Sequence, residues 1–358
     1  MPFAKQAHIL VTGGAGFIGS HTVVELVAAG FGVTILDNLC NAKPAVLERL
    51  ARITGSAPEF IRMDIRDGAG LREVFARRRY EAVVHFAGLK AVGESVAQPL
   101  RYYDNNVNGS LTLFTAMGEA GVKSLVFSSS ATVYGDPASV PILEDAPLSA
   151  TNPYGRSKLM IEQMLRDLSR ADPAWRIALL RYFNPVGAHE SGLLGDDPDG
   201  IPNNLMPYAL RVAAGQYPQL QVYGDDYPTP DGTGVRDYVH VVDLAQGHVA
   251  ALGALARHPG VLTVNLGTGR GSSVLELVGT LAEVSGQPVP YKIVARRPGD
   301  VAQCYADTSR AKALLGWSAR HDLRRMCEDS WKWVRHGAAG SVAEQVAQER
   351  TGSAVEVL

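Results

Sequence analysis

The sequence predicts an α/β protein in which a doubly wound parallel sheet is followed by a smaller mixed α/β lobe. Three observations carry this expectation. Short apolar runs recur at 8–12, 32–36, 59–63, 82–87, 124–128 and 176–183, with segments of helical length between them. That alternation is the rhythm of parallel strands covered by helices on both faces. The first run ends in a glycine-rich turn, and after Asn184-Pro185 the chain changes character, with Gly, Pro and Asp crowded into 187–203.

The second half reads as a loop-rich lobe. A helix candidate at 204–215 leads to a turn-rich stretch from Tyr223 to Gly234. Strand signals at 219–223, 261–267 and 289–294 interleave with helices near 242–256, 273–285 and 321–335. The expected division gives residues 1–184 to a dinucleotide-binding domain, to which the chain returns near 236–265. Residues 185–337 belong mainly to a substrate-binding lobe, and 338–358 form a small-residue-rich C-terminal tail.

Composition narrows the functions. The 358 residues suffice for a sizeable core. Charged residues are 20% of the chain and the net charge is −2, so there is no electrostatic footprint for nucleic acid and no basic block for a membrane surface. No apolar run approaches the roughly 20 residues of a spanning helix. The residues ahead of His8 lack a leader pattern, which predicts a cytoplasmic protein. Cys40, Cys304 and Cys327 are scattered and odd in number, so neither a disulfide framework nor a metal site is expected.

The first strand ends in Thr12-Gly13-Gly14-Ala15-Gly16-Phe17-Ile18-Gly19 and a helical pattern follows at 20–29. Glycines at 13, 16 and 19 permit a tight turn, close approach to a pyrophosphate and close helix–strand packing, while the helix N-terminus favours the phosphates. The next strand ends in Asp37, about 20 residues on, where a Rossmann-type fold places the acid that binds the adenosine ribose. A carboxylate there opposes a 2′-phosphate, so the cofactor expected is NAD.

Two further motifs supply chemistry. Tyr154 and Lys158, in Asn152-Pro153-Tyr154-Gly155-Arg156-Ser157-Lys158, stand four apart and share a helix face. An ammonium there would lower a phenol pKa that is normally about 10, making Tyr154 a base near neutral pH. Upstream, strand 124–128 ends in Ser128-Ser129-Ser130-Ala131-Thr132, and a serine hydroxyl at that strand end could bridge a substrate and Tyr154.

With these motifs in hand, the chain resembles the extended short-chain dehydrogenase/reductases, and within them the branch that inverts carbon 4 of UDP-hexoses. The matching segments include Gly13 to His21, His85 to Ser95, Phe127 to Gly135, Tyr154 to Met160, Ala178 to Ala188, Gly200 to Tyr208 and Asp225 to His240, and the likeness spans 8–335. The resemblance implies reversible epimerisation in galactose metabolism through a 4-keto sugar, with Tyr154 as base and acid, Lys158 tuning it and Ser130 on the 4-OH. It implies NAD contacts from Gly13, Gly16, Phe17, Ile18, Gly19, Asp37, Asn38 and Asn41. Further along the cofactor it implies Asp64, Ile65, Phe86, Ala87, Gly88, Lys90 and Asn105, with Phe183 beside the nicotinamide. For the UDP-sugar it implies Lys90, Tyr182, Asn184, Asn204, Leu205, Tyr223, Arg236, Arg297 and Asp300. The family is usually dimeric, and helices near 101–120 and 155–171 are the expected homodimer surface.

Neighbouring activities are weighed on single residues. A sugar-nucleotide 4,6-dehydratase needs acidic residues after the strand-end serine, where this chain has Ala131 and Thr132. An NADP-dependent keto-sugar reductase is opposed by Asp37. A non-catalytic NAD sensor has no need of Ser130, Tyr154 and Lys158 together. Family members with a bulky Tyr at the Cys304 position tend to exclude N-acetylated UDP-sugars, so the smaller Cys304 implies room for UDP-GlcNAc and UDP-GalNAc.

Overall fold

The structure, a computed structural model, describes residues 7–352 except Asp199 and Pro298, with side chains through residue 337. Its centre is a seven-stranded sheet, parallel throughout. In spatial order the strands are Gly260–Leu266, Arg176–Tyr182, Ser124–Ser128, Ala82–His85, His8–Thr12, Gly32–Asp37 and Glu59–Arg62. The six runs read from the sequence are all strands of this sheet.

Alternation along each strand feeds two cores. Ile9 and Val11 pack on one face with Val84, Val126 and Leu180, beneath the helices Phe17–Ala28 and Val241–Leu255. Leu10 points the other way, joining Leu36, Val83, Leu125 and Phe127 beneath Gly68–Arg77, Gly109–Glu119 and Pro153–Ala171. Both faces are buried, which is why these strands read as continuous apolar runs. The strand order reverses between His8–Thr12 and Ala82–His85, and a crevice opens at their carboxyl ends, where open α/β sheets bind ligands.

The chain leaves this sheet after Tyr182 and returns to it as Gly260–Leu266, paired in parallel with Arg176–Tyr182. Between and after these points it builds a second layer of short pairings. Asn184–Val186 pairs with Tyr238–His240, and Leu220–Tyr223 pairs with Tyr291–Val294. Val235–Arg236 lies between Ser272–Ser273 and Gln303–Cys304. Met206, Leu210, Leu277, Leu281 and Met326 form its core, and Cys327 packs there as a small hydrophobe. The two-residue strands were not legible in the sequence, because so short an element has no period to detect.

The final helix runs Leu323–Gly352 and carries the chain through most of the segment expected as a tail; residues 353–358 lie outside the described residues.

Candidate active site

The crevice at the strand reversal is a cleft of about 280 Å³. Its floor is the glycine turn. Gly13 has φ +69°, and a Cβ there would stand 2.5 Å from the Ala87 nitrogen. A Cβ on Gly19 would stand 2.2 Å from the Gly13 carbonyl. The strand end and the helix start are thus closed to any side chain, leaving backbone as the lining. No side chain caps the helix that begins at Phe17, so its first-turn N–H groups face the cleft as a ready anion site. Asp37 is held by the N–H groups of Ala15, at 3.1 Å, and Leu39, at 2.8 Å. These residues fit a dinucleotide.

Phe17, Ile18, Asn38, Asn41, Ile65, Phe86, Ala87, Gly88, Lys90 and Asn105 all line this cleft, as do Tyr154, Lys158 and Tyr182. Asp64 does not line it: its carboxylate is taken up by Arg66 at 2.8 and 2.9 Å and by Asn38 at 3.0 Å. The Arg66 guanidinium holds the Asp64 pKa down to about 2. Phe183 is buried against Val133, Tyr134 and Ile142 rather than on the cleft wall.

The helix Pro153–Ala171 is started by Asn152, whose Oδ1 accepts from the Gly155 N–H at 2.9 Å, with Pro153 at the first position. That start brings Tyr154 and Lys158 under the serine strand end. The Tyr154 phenol lies close enough to Ser130 and Tyr182 to feel both, Ser130 favouring its ionised form and Tyr182 opposing it. Ser130 Oγ accepts from the Thr132 N–H at 3.2 Å and the Thr132 hydroxyl at 2.9 Å. Its own proton is not used by Thr132. Lys158 Nζ lies over the Phe127 ring at 4.8 Å and donates to the Ser128 carbonyl at 2.8 Å.

One expectation is reversed. Burial pushes the Tyr154 phenol well above its ordinary range, with Tyr182 adding to the effect, and burial lowers the Lys158 ammonium to about 8. The helical spacing placed both residues on the wall of one cleft. Spacing says nothing of desolvation, which disfavours both charged forms here.

On the other side of the strand ends, Arg236, Arg297, Asp300 and Tyr223 converge. Asp300 accepts from Arg297 at 2.9 and 3.2 Å, Arg236 Nη2 approaches it at 4.0 Å, and Arg297 lies over the Tyr223 ring at 5.5 Å. Cys304 stands in register with Arg236. The Asn184 N–H donates to the Asp237 carbonyl at 2.9 Å, and the Asp237 N–H donates to that of Cys304 at 3.0 Å. Asn204 is the cap residue of the helix that begins at Leu205.

Sequence reasoning missed the strap across the cleft. Lys43 pairs with Asp197 at 2.8 Å and Lys90 with Asp196 at 3.9 Å. The Gly-, Pro- and Asp-rich stretch 187–203 was legible as a loop, but not that it crosses back onto the first domain.

A doubly wound NAD-type cleft with a Ser–Tyr–Lys constellation at its mouth defines a class, and the chain belongs to the NAD dependent epimerase/dehydratase family, whose model matches residues 9–267. It is similar to the UDP-glucose 4-epimerases of Neisseria meningitidis serogroup B, 59% identical over 93% of this chain and 98% of that one, and of Bacillus subtilis, with the same identity and coverage. The crystal structure of UDP-glucose 4-epimerase from Bifidobacterium longum in complex with NAD+ and UDP superposes with a TM-score of 0.90 at 54% identity, covering 93% of this chain and all of that one.

Proposed function

We propose that the protein is a UDP-glucose 4-epimerase, an NAD-dependent isomerase that inverts C4 of UDP-hexoses. The observation that carries this reading is the grouping of Ser130, Tyr154 and Lys158 at the cleft, with Arg236, Arg297 and Asp300 gathered beyond it. Bound NAD supplies the acceptor and donor of the C4 hydride. Tyr154, in its phenolate form, takes the 4-OH proton at Oη and as the phenol later returns it, and Ser130 positions that hydroxyl. Lys158, an ammonium close by, opposes the desolvation that keeps Tyr154 protonated. Arg236 and Arg297 hold the diphosphate, and their forked donors suit it. Asp300, Tyr223, Asn204 and Leu205 hold the uridine, while Tyr182, Asn184 and Lys90 border the sugar. Anchoring the nucleotide rather than the hexose leaves the sugar free to present either face to Tyr154. Phe183 and Asp64 support this arrangement from behind.

The test is incubation of purified protein with UDP-galactose and no added NAD. UDP-glucose with no net NADH is expected. A 4-keto-6-deoxy product would mean dehydratase chemistry, which Ala131 and Thr132 oppose since neither can do acid–base work.

The proposal extends to UDP-GlcNAc and UDP-GalNAc. Cys304 is half-buried and its thiol is pushed up to about 11 by desolvation, so it stays neutral and small where a phenol ring would fill the space. It extends also to a homodimer in the cytoplasm. Val96, Leu100, Leu111 and Met160 expose 63%, 80%, 52% and 42% of their surface on neighbouring helices, an apolar face that suits a second copy. The three cysteines are unpaired, as a reducing compartment keeps them. Light scattering of the purified protein, reading twice the chain mass, checks the dimer.

A further inference from the structure

A second polar constellation lies behind the catalytic strand end, outside the cofactor and sugar anchors. Glu162 stands one helical turn after Lys158 with 0% side-chain exposure, and Arg181, on the strand Arg176–Tyr182, has 1%. Arg181 meets Glu162 twice, Nε to Oε1 at 2.9 Å and Nη2 to Oε2 at 2.6 Å. The Ser129 hydroxyl donates to Oε1 at 2.7 Å. Arg181 Nη1 reaches the Tyr134 hydroxyl at 3.1 Å and the Glu144 carbonyl at 2.9 Å. Arg166 approaches Oε2 from the helix at 3.7 Å.

A buried ion pair is a costly way to join a helix to a sheet, since apolar residues of similar volume usually do it as well or better. Two consequences here are beyond apolar residues. The first is aim. Ser129 sits between Ser128, whose carbonyl receives Lys158, and Ser130, whose hydroxyl meets Tyr154. Ser130 is extended, with φ −158° and ψ 148°, and successive side chains of an extended chain face opposite ways. Pinning Ser129 backward turns Ser130 toward Tyr154. The second is charge. The groups around Lys158 are Tyr154 and Glu162 on its own helix, and His85 and the Phe127 ring on the strands beneath. While Tyr154 keeps its proton, which burial favours, and with His85 held neutral by burial, Glu162 is the negative charge that favours the ammonium.

We propose that Glu162, locked by Arg181, is a positioning residue for proton transfer at C4: it aims Ser130 through Ser129 and holds Lys158 as its ammonium. This rests on the reading of Ser130, Tyr154 and Lys158 given above.

The test uses the NAD-loaded enzyme with UDP-galactose. Glu162→Gln keeps the shape and removes the charge. The expected result is a fall in kcat of about 10–100-fold, a fraction of what general acid–base catalysis contributes, with KM within about twofold. The alkaline limb of kcat should move to lower pH, because Lys158 without Glu162 loses its proton sooner. Ser129→Ala should lower kcat about threefold to tenfold and leave that limb in place. Since Glu162→Gln strands the Arg181 charge, the variant Glu162→Gln/Arg181→Met is measured beside it. Removing both charges should restore folding and leave the low kcat and the displaced limb. A folded double variant with wild-type kcat and limb overturns the proposal, as does a Ser129→Ala enzyme of full activity with no limb shift in Glu162→Gln. Tyr154→Phe in the same assay separates the two readings: an active Tyr154→Phe enzyme would sink the assignment of the site itself, not of Glu162 alone.

Discussion

Lys158 gives its ammonium to the backbone carbonyl of Ser128, 30 residues earlier in the chain, at 2.8 Å. This bond ties the helix that carries Tyr154 to the strand end that carries Ser130, so the proposed catalytic pair is held by the fold and not by helix spacing alone. It also commits the protein to a buried cation, and that has measurable consequences.

Lys158 is lowered to about 8 from 10.5, chiefly by burial. Below pH 8 it is charged in both folded and unfolded chains, so the penalty of burying it is fully present. Between pH 8 and 10.5 the unfolded chain holds more protons, and stability from this group rises with pH. Lys158→Met should therefore abolish turnover yet stabilise the protein at pH 7 by on the order of 1–3 kcal/mol. The gain should fade toward pH 10.5. Urea denaturation of both proteins at pH 7 and pH 10 measures it.

Tyr154→Phe removes the proton carrier and leaves the cleft wall in place. Turnover of UDP-galactose should fall by about 10³-fold or more, while NAD released on denaturing the purified protein stays near one per chain. Loss of NAD together with activity would instead point to a damaged cleft.

Gly19→Ala puts a methyl group 2.2 Å from the Gly13 carbonyl, a backbone atom with no room to yield. The turn must open, and both packing and the pyrophosphate seat suffer. The expected loss is about 2 kcal/mol of stability or more, as for overpacked interiors, with NAD content well below that of the parent. Thermal unfolding and cofactor extraction read the two effects separately.

Cys304→Tyr refills the space that the thiol leaves open. Conversion of UDP-GalNAc should fall by about tenfold or more, while UDP-galactose changes by less than about threefold; such a difference corresponds to about 1–2 kcal/mol of steric discrimination. If the parent enzyme leaves purified UDP-GalNAc untouched, the wider specificity is wrong.

Much of the large sheet could be read from the chain, because strands buried on both faces leave long apolar runs and the glycine turn leaves Gly13, Gly16 and Gly19 at fixed spacing. The NAD cleft followed from them, with Asp37 at the next strand end. Ser130, Tyr154 and Lys158 were legible as types at a spacing. The Lys43–Asp197 and Lys90–Asp196 straps were not, since each joins residues over 100 apart with no local pattern. Nor was the Glu162–Arg181 pair, whose members look like ordinary surface charges until the helix lies on the sheet.

By itself the sequence determined which residues meet through local geometry: a helix start at Asn152, a face shared by Tyr154 and Lys158, a turn that only glycine can make. The tertiary structure alone decided their environment. Lys158 faces a carbonyl, Tyr154 is too desolvated to ionise easily, and Arg236 and Cys304 meet on two short strands while Arg297 reaches Asp300 from a loop. Periodicity encodes which way a side chain points. Desolvation and long-range contact depend on what the rest of the chain folds against it, and no local pattern carries that.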